Sequence, residues 1–179
     1  MRKEIRFITT GAIIAALYAT LTMVFWEISS AGIQFRLSEA LCILPAFTPA
    51  AIPGLTIGCA IANIAGGTWV DVVFGSLATL LASVCTYFIG RAFRVGTTDK
   101  VKLPAALLCP LPPVILNAAI IPFVLYFGYG LTSAFGVEGA APVLAIHAGT
   151  VGLGEAAVCY ILGLPLMDAV NRLRKKIKW

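Results

Sequence analysis

Long apolar stretches, separated by three short basic clusters, constrain the fold of this chain more than any other feature of its sequence. Hydrophobic residues make up 60% of its 179 residues and charged residues only 12%. A soluble domain has about 25% charged residues, and a helix that crosses a bilayer needs about 20 apolar residues. The chain therefore has room for about six crossings and for no sizeable aqueous domain. We predict an all-α integral membrane protein.

The basic residues indicate how the chain crosses the membrane. Twelve of the thirteen Lys and Arg residues lie in three clusters, namely Arg2, Lys3 and Arg6; Arg91, Arg94, Lys100 and Lys102; and Arg172, Arg174, Lys175, Lys176 and Lys178. Basic loops beside apolar spans mark the cytoplasmic side, so an even number of crossings separates each pair of clusters. We therefore predict six transmembrane helices, with both termini cytoplasmic. They form a single domain, residues 1–179. Because these charges belong to the membrane edge, the net charge of +5 does not indicate a nucleic-acid partner.

The apolar segments and their breaks predict the individual spans. The predicted spans are about 7–27, 37–48, 52–66, 72–91, 103–129 and 143–170. The first has features of a signal peptide, but we interpret it as a span because cleavage would place one basic cluster outside. The second is short and is broken by Pro45 and Pro49, and the five prolines of the fifth predict kinks. Gly54 and Gly58 form a GxxxG spacing that favours close helix contact.

Polar side chains within the spans or at their outer ends are candidate ligand-binding residues, since ionisable groups at depth are costly in a bilayer. The candidates are Glu155, His147, Glu39, Asn117, Asn63, Arg36, Asp71, Trp69 and Tyr126, with Trp26, Glu27, Tyr129 and Glu138 in the same outer half. Glu155 lies eight residues after His147, about 12 Å deeper along one helix face. Structural alternatives stay open, because Arg36 and Glu39 could simply pair and the asparagines could bridge helices.

These candidates suit a small, flat, nitrogen-rich ligand. Carboxylates accept hydrogen bonds from ring N–H and amino groups, amides pair with amide edges, and aromatic rings stack. One His and five scattered Cys, without CxxC spacing, lead us to expect no metal, no other cofactor and no disulfide framework. No ATPase, hydrolase or metalloprotease motif occurs, so we expect no enzyme. A carrier with a proton relay from His147 to Glu155, and a small membrane enzyme that uses Glu39 with them, stay open as alternatives.

Small residues form a possible helix-docking strip on the first span. Two AxxxA spacings overlap there, Ala12 with Ala16 and Ala15 with Ala19. Small side chains four residues apart allow another helix to approach closely. The partner could be a helix of this chain, and a short six-span protein without its own ATPase also suggests a larger membrane complex.

Three segments resemble a known family. QFRLSEALCILPAFTPAAIPGLTIGCAIANIAGG (34–67), DVVFGSLATLLAS (71–83) and HAGTVGLGEAAVCYILGLPL (147–166) are similar to the QueT family of predicted queuosine-precursor transporters. Members of this family are substrate-binding S components of energy-coupling-factor (ECF) transporters. The resemblance implies an S-component-like helical bundle that captures its ligand on the outer side. It also implies that the protein topples in the membrane to carry the ligand inward.

The resemblance further implies a ligand and partners. The ligand would be a 7-deazaguanine such as 7-aminomethyl-7-deazaguanine, its 7-cyano relative or queuine. Glu155 and Glu39 would accept from its N1–H and 2-amino edge, an asparagine would take the O6 side, and Asp71 would hold an aminomethyl cation. The alanine strip would dock on a transmembrane coupling subunit driven by two cytosolic ATPase subunits. An S component for another vitamin-like ligand is the alternative within this class.

Overall fold

Helices dominate the computed structural model, which describes residues 2–25, 36–66, 69–97 and 100–176. Apolar segments fold as helices in a bilayer because each backbone N–H and C=O group must be bonded within the segment. In chain order the elements are α1 (Arg2–Val24), a 3₁₀ helix (Leu37–Ala46), α2 (Ala51–Gly66), α3 (Trp69–Ala92), α4 (Leu103–Leu108), α5 (Leu111–Phe123), a π-helical turn (Val124–Gly128), β1 (Ser133–Ala134), β2 (Val137–Glu138), α6 (Ala140–Ala157), a second π-helical turn (Val158–Leu162) and α7 (Gly163–Lys176).

Four helical stretches of the described chain are long and apolar enough to cross a membrane. They are Arg2–Val24, Trp69–Ala92, Leu103–Gly128 and Ala140–Arg174. Two further apolar helices, Leu37–Ala46 and Ala51–Gly66, coincide with the second and third predicted spans but are shorter than those four stretches. At about 2 Å and 1.5 Å per residue these reach about 20 and 24 Å, less than the 30 Å apolar core of a bilayer. The mostly helical membrane fold is therefore confirmed, and crossing by the two short helices stays a prediction.

The boundaries and the outer loop differ in detail from the predictions. α1 begins at Arg2, so the first basic cluster is helical, and the last helix extends to Lys176. The connection between the last two predicted spans contains a β-hairpin in which Ser133 pairs with Glu138 and Ala134 with Val137. Its two turn residues have φ of 51° and 79°, a geometry that matches the right-handed twist of paired strands. The Phe-Gly pair at this turn lacks the Asn-Gly or Asp-Gly signature, which is why the sequence did not predict it.

Glycines bring α1 and α2 into backbone contact. A Cβ added to Gly54 would lie 2.7 Å from the carbonyl oxygen of Gly11, and one added to Gly58 would lie 2.7 Å from that of Ala15. The GxxxG spacing thus makes the close contact that was predicted for it. The contact also places Ala15 and Ala19 in the interior. An exposed docking strip that includes these two alanines is therefore wrong for this conformation, whereas Ala12 and Ala16 are exposed.

Prolines break the fifth predicted span, and a hydroxyl compensates for the break. α4 ends at Leu108 and α5 begins at Leu111. Pro113 has no N–H to donate to the carbonyl of Cys109, four residues earlier. The Thr86 hydroxyl of α3 donates to that carbonyl oxygen at 3.0 Å instead. The predicted kinks are therefore present, and the freed backbone group is satisfied by a neighbouring helix.

Gly90→Ala should destabilise the fold strongly. A Cβ at this position of α3 would lie 2.4 Å from Cα and 2.7 Å from Cβ of Ala46, at the end of the 3₁₀ helix. Because the obstructing atoms are backbone or rigidly attached to it, overpacking should cost about 2 kcal/mol or more. Thermal unfolding in detergent should show a clearly lower midpoint. Gly149→Ala, which adds a Cβ with nothing within 4 Å, is the matched control. Equal midpoints for the two variants would contradict the packing described.

Candidate ligand-binding site

The centre of the site is a buried carboxylate–amide pair between two neighbouring helices. Glu155 on α6 and Asn117 on α5 are 3% and 6% exposed. The Asn117 Nδ2 group donates a hydrogen bond to Oε1 of Glu155. α5 and α6 can approach closely because position 152 is glycine, where a Cβ would lie 3.3 Å from that of Ala118. The mid-membrane glutamate singled out from the sequence is therefore buried and hydrogen-bonded to a second candidate residue.

A second buried carboxylate, Glu39, lies on the 3₁₀ helix and is 1% exposed. The Tyr18 hydroxyl donates to its Oε1, and the Cys42 thiol donates to its Oε2 at 2.7 Å. The Cys159 thiol lies 3.7 Å from the Glu39 carbonyl oxygen. Two cysteines thus contact this glutamate, one through its carboxylate and one through its backbone.

Sequence reasoning missed Tyr18, although a signal was present. Tyr18 follows Gly11 and Ile14 at helical spacing on the face of α1 that packs inward, and it is fully buried. A buried tyrosine usually needs a hydrogen-bond partner for its hydroxyl. A tyrosine on an inward face made of small residues would therefore have indicated a polar acceptor nearby. In the structure that acceptor is Glu39.

Arg36 and Asp71 form an ion pair at the outer edge of the site. Nη2 of Arg36 lies 3.2 Å from Oδ2 of Asp71, and the two side chains are 13% and 3% exposed. The Tyr129 hydroxyl donates to the same oxygen at 3.3 Å, and Asn63 Nδ2 donates to the Asp71 carbonyl oxygen at 3.1 Å. The alternative pairing of Arg36 with Glu39 is thus not the contact that forms. Gly75 leaves room for the Asn63 amide, since a Cβ at position 75 would lie 2.9 Å from Asn63 Nδ2.

The space between these groups is closed in this conformation. Arg36, Asn117, Ile121, Val151 and Glu155 line a cavity of about 10 Å³. That volume suffices for about one water molecule, whereas ligand pockets usually measure about 300 Å³ or more. A ring-sized ligand can therefore enter only if the Asn117–Glu155 pair opens.

Several predicted site residues lie away from this cavity. Trp69 is 79% exposed, and Tyr126 packs edge-on against Phe127 with ring centroids 4.9 Å apart. His147 is half-buried, and its Nε2 lies 3.4 Å from the Leu131 carbonyl oxygen. The hydrogen-bond partner of Glu155 is Asn117, and the relay from His147 to Glu155 stays a prediction. The predicted Trp26 and Glu27 lie outside the described residues.

The groups around the cavity define what it can bind. Glu155 accepts hydrogen bonds, Asn117 both donates and accepts, and Arg36 donates to ligand oxygens. Ile121 and Val151 supply apolar walls for a flat ring. Among the described residues, no group of three or more His, Cys, Asp or Glu could hold a metal ion.

Long apolar helices around a buried polar cluster define a multi-pass membrane protein. Residues 8–172 match the family described as QueT transporter, so the chain belongs to the QueT transporter family. This is a family of transporters and not of enzymes. The resemblance seen in the sequence is thereby confirmed.

One curated relative and the solved structures complete the comparison. Over 76 residues the chain is 49% identical to the protein named queuosine precursor transporter QueT of Lactococcus lactis subsp. cremoris (strain MG1363). The matched stretch covers 41% of this chain and 45% of that relative. No solved structure matches the chain.

Proposed function

We propose that the chain is the substrate-binding membrane subunit of an ATP-driven ECF-type importer. It captures a queuosine precursor, a 7-deazaguanine such as 7-aminomethyl-7-deazaguanine or queuine, on the outer side of the plasma membrane. The observation that carries this proposal is the buried Glu155–Asn117 pair beside Arg36, in a chain of the QueT transporter family. The name of the bacterial relative points to the same class of ligand.

When the ligand binds, it replaces Asn117 as the hydrogen-bond donor to Glu155. A 7-deazaguanine presents N1–H and a 2-amino group side by side, and one carboxylate can accept from both. The Asn117 amide, once released, can donate to the O6 oxygen of the ring. The ligand supplies two donors to the Glu155 carboxylate where Asn117 supplies one, so the exchange favours the ligand. Opening of the cavity is therefore part of binding.

The outer edge of the site suits the variable substituent of the ligand. The Asp71 carboxylate contacts Arg36 and Tyr129, and Asn63 donates to the backbone carbonyl oxygen of Asp71. An aminomethyl cation would bind this carboxylate in competition with Arg36. A neutral substituent would leave the ion pair in place, so this position affects selectivity more than affinity.

The exposed pair Ala12 and Ala16 is the proposed contact for a transmembrane coupling subunit, which two cytosolic ATPases energise. Both residues lie on the outer surface of α1, where a partner helix can approach closely.

The basic clusters of the chain support the proposed orientation in the membrane, with both termini cytoplasmic. Arg174 donates to the Phe47 carbonyl oxygen at 2.8 Å, and a Cβ at Gly96 would lie 2.6 Å from its Nη1. The central and last basic clusters therefore lie at the same end of the bundle.

Uptake into proteoliposomes tests this function. Vesicles that contain the chain, the coupling subunit and both ATPases should accumulate a labelled 7-deazaguanine only when ATP is hydrolysed. The same vesicles with a non-hydrolysable ATP analogue are the control and should bind the ligand without accumulating it. Accumulation by the chain alone, driven by a proton gradient, would contradict the proposal and favour a stand-alone carrier. Uptake and binding of another vitamin-like compound in place of 7-deazaguanines would favour the alternative ligand class.

A further inference from the structure

A second cavity, of about 630 Å³, lies at the end of the bundle that carries the basic clusters. Its walls come from the connection before α4 and from α7, and include Lys100, Val101, Leu164, Met167, Asp168 and Arg172. Arg172 precedes by two residues the Arg174 that contacts Phe47, beyond the end of the 3₁₀ helix. Glu39 lies near the other end of that helix, so the cavity is separate from the ligand site.

The polar side of this cavity favours an anion. Of the residues that the structure describes, two cations, Lys100 and Arg172, line it together with one acid, Asp168. Arg172 Nη2 lies 2.5 Å from Asp168 Oδ2, yet the Arg172 side chain is 76% exposed. A guanidinium has five N–H donors, so the pair with Asp168 leaves donors for a phosphate oxygen.

The other side of the cavity favours an acyl chain. Val101, Leu164 and Met167 form an apolar wall, and Met167 is only 1% exposed. Next to the cavity, Leu103 and Leu107 of α4 are 71% and 49% exposed. In a membrane protein such a surface faces lipid tails. A free phosphate or a nucleotide would use the cations and leave the apolar wall without a partner.

We propose that this cavity binds an anionic phospholipid, with the phosphodiester at Lys100 and Arg172 and an acyl chain along the apolar wall. Basic pockets between membrane helices are suited to anionic headgroups. The bound lipid links the connection before α4 to α7 and thereby stabilises this end of the bundle. The inference is independent of the transported ligand, and it requires only that the chain is a membrane protein.

Lipid binding by the full chain, purified in a zwitterionic detergent, tests the proposal. Native mass spectrometry and thermal midpoints are measured with added phosphatidylglycerol, phosphatidylcholine or inorganic phosphate. Phosphatidylglycerol should bind and raise the midpoint. Equal effects of phosphatidylcholine would overturn the proposal, and so would a full effect of inorganic phosphate alone, which would assign the site to a free anion.

Charge variants test the position of the site. K100Q/R172Q should bind phosphatidylglycerol about tenfold more weakly. The matched double variant R2Q/K3Q, which removes one Arg and one Lys from another basic cluster, should bind it normally. Equal loss in both would show non-specific attraction and overturn the proposal. If K100Q/R172Q does not fold, the variant D168N tests the site instead. Removal of this acid from the cavity wall should tighten phosphatidylglycerol binding severalfold. Unchanged or weaker binding would refute the site.

Discussion

Glu155→Gln is expected to weaken binding of a 7-deazaguanine about a hundredfold. The carboxylate accepts from two ligand donors, whereas the amide replaces one acceptor oxygen by an NH₂ group that opposes the ligand's amino edge. Loss of one hydrogen bond to a charged group, together with the weakening of the other to a neutral one, costs about 3 kcal/mol, which corresponds to roughly a hundredfold in Kd. The variant should fold, because a glutamine at 155 can still bond to Asn117. Isothermal titration with the purified protein gives the two affinities.

Two isosteric controls accompany this variant. Glu138→Gln, on the exposed strand β2, should leave the affinity unchanged. Asp71→Asn should weaken binding less than Glu155→Gln does, because Asp71 lies at the edge of the site and is held by Arg36. Unchanged binding by the Glu155→Gln protein would refute the assignment of Glu155 as the central ligand residue.

Bulky residues at the exposed alanine pair are expected to abolish uptake while leaving ligand binding intact. Ala12 and Ala16 are exposed on α1, so A12L/A16L should keep the fold and the lipid contacts. Leucine side chains prevent the close backbone approach that a partner helix needs. ATP-driven uptake should fall at least tenfold, and the Kd for the ligand should change less than twofold.

The position of the leucines should matter more than their number. A65L/A145L also replaces two exposed alanines, on α2 and α6, and should transport normally. Ala15→Leu should instead lower the thermal midpoint and weaken binding, because the backbone of Ala15 contacts Gly58 and the residue is buried. Normal uptake by A12L/A16L, or equal loss in both double variants, would contradict docking at this pair.

The sequence predicted those features that depend on the length of apolar segments and on local spacing. The mostly helical membrane fold, the kinks in the fifth span and the Gly54–Gly58 contact all follow from such patterns. The sequence also singled out Glu155, which the structure buries, and its depth in the membrane stays a prediction. The ten-residue 3₁₀ helix was not predictable, since runs longer than three or four residues are uncommon and depend on tertiary packing.

Partner choice among the polar residues was not predictable from spacing. Arg36 has Glu39 three residues away but pairs with Asp71, 35 residues further along the chain. Packing of α3 against the start of the 3₁₀ helix decides this, and no local pattern records it. The same holds for the two AxxxA pairs, which look alike in the sequence. Only the contact with α2 distinguishes the buried pair, Ala15 and Ala19, from the exposed one.

The most direct test of the proposed function is a titration of the purified chain against a panel of ligands, together with identification of any small molecule that co-purifies. The panel contains 7-aminomethyl-7-deazaguanine, its 7-cyano relative, queuine, guanine, riboflavin and thiamine. We predict tight binding of at least one 7-deazaguanine and no binding of riboflavin or thiamine, while the affinity for guanine, which has the same N1–H, 2-amino and O6 groups, measures what the 7-substituent adds. Tight binding of riboflavin or thiamine without binding of any 7-deazaguanine would contradict the proposed function.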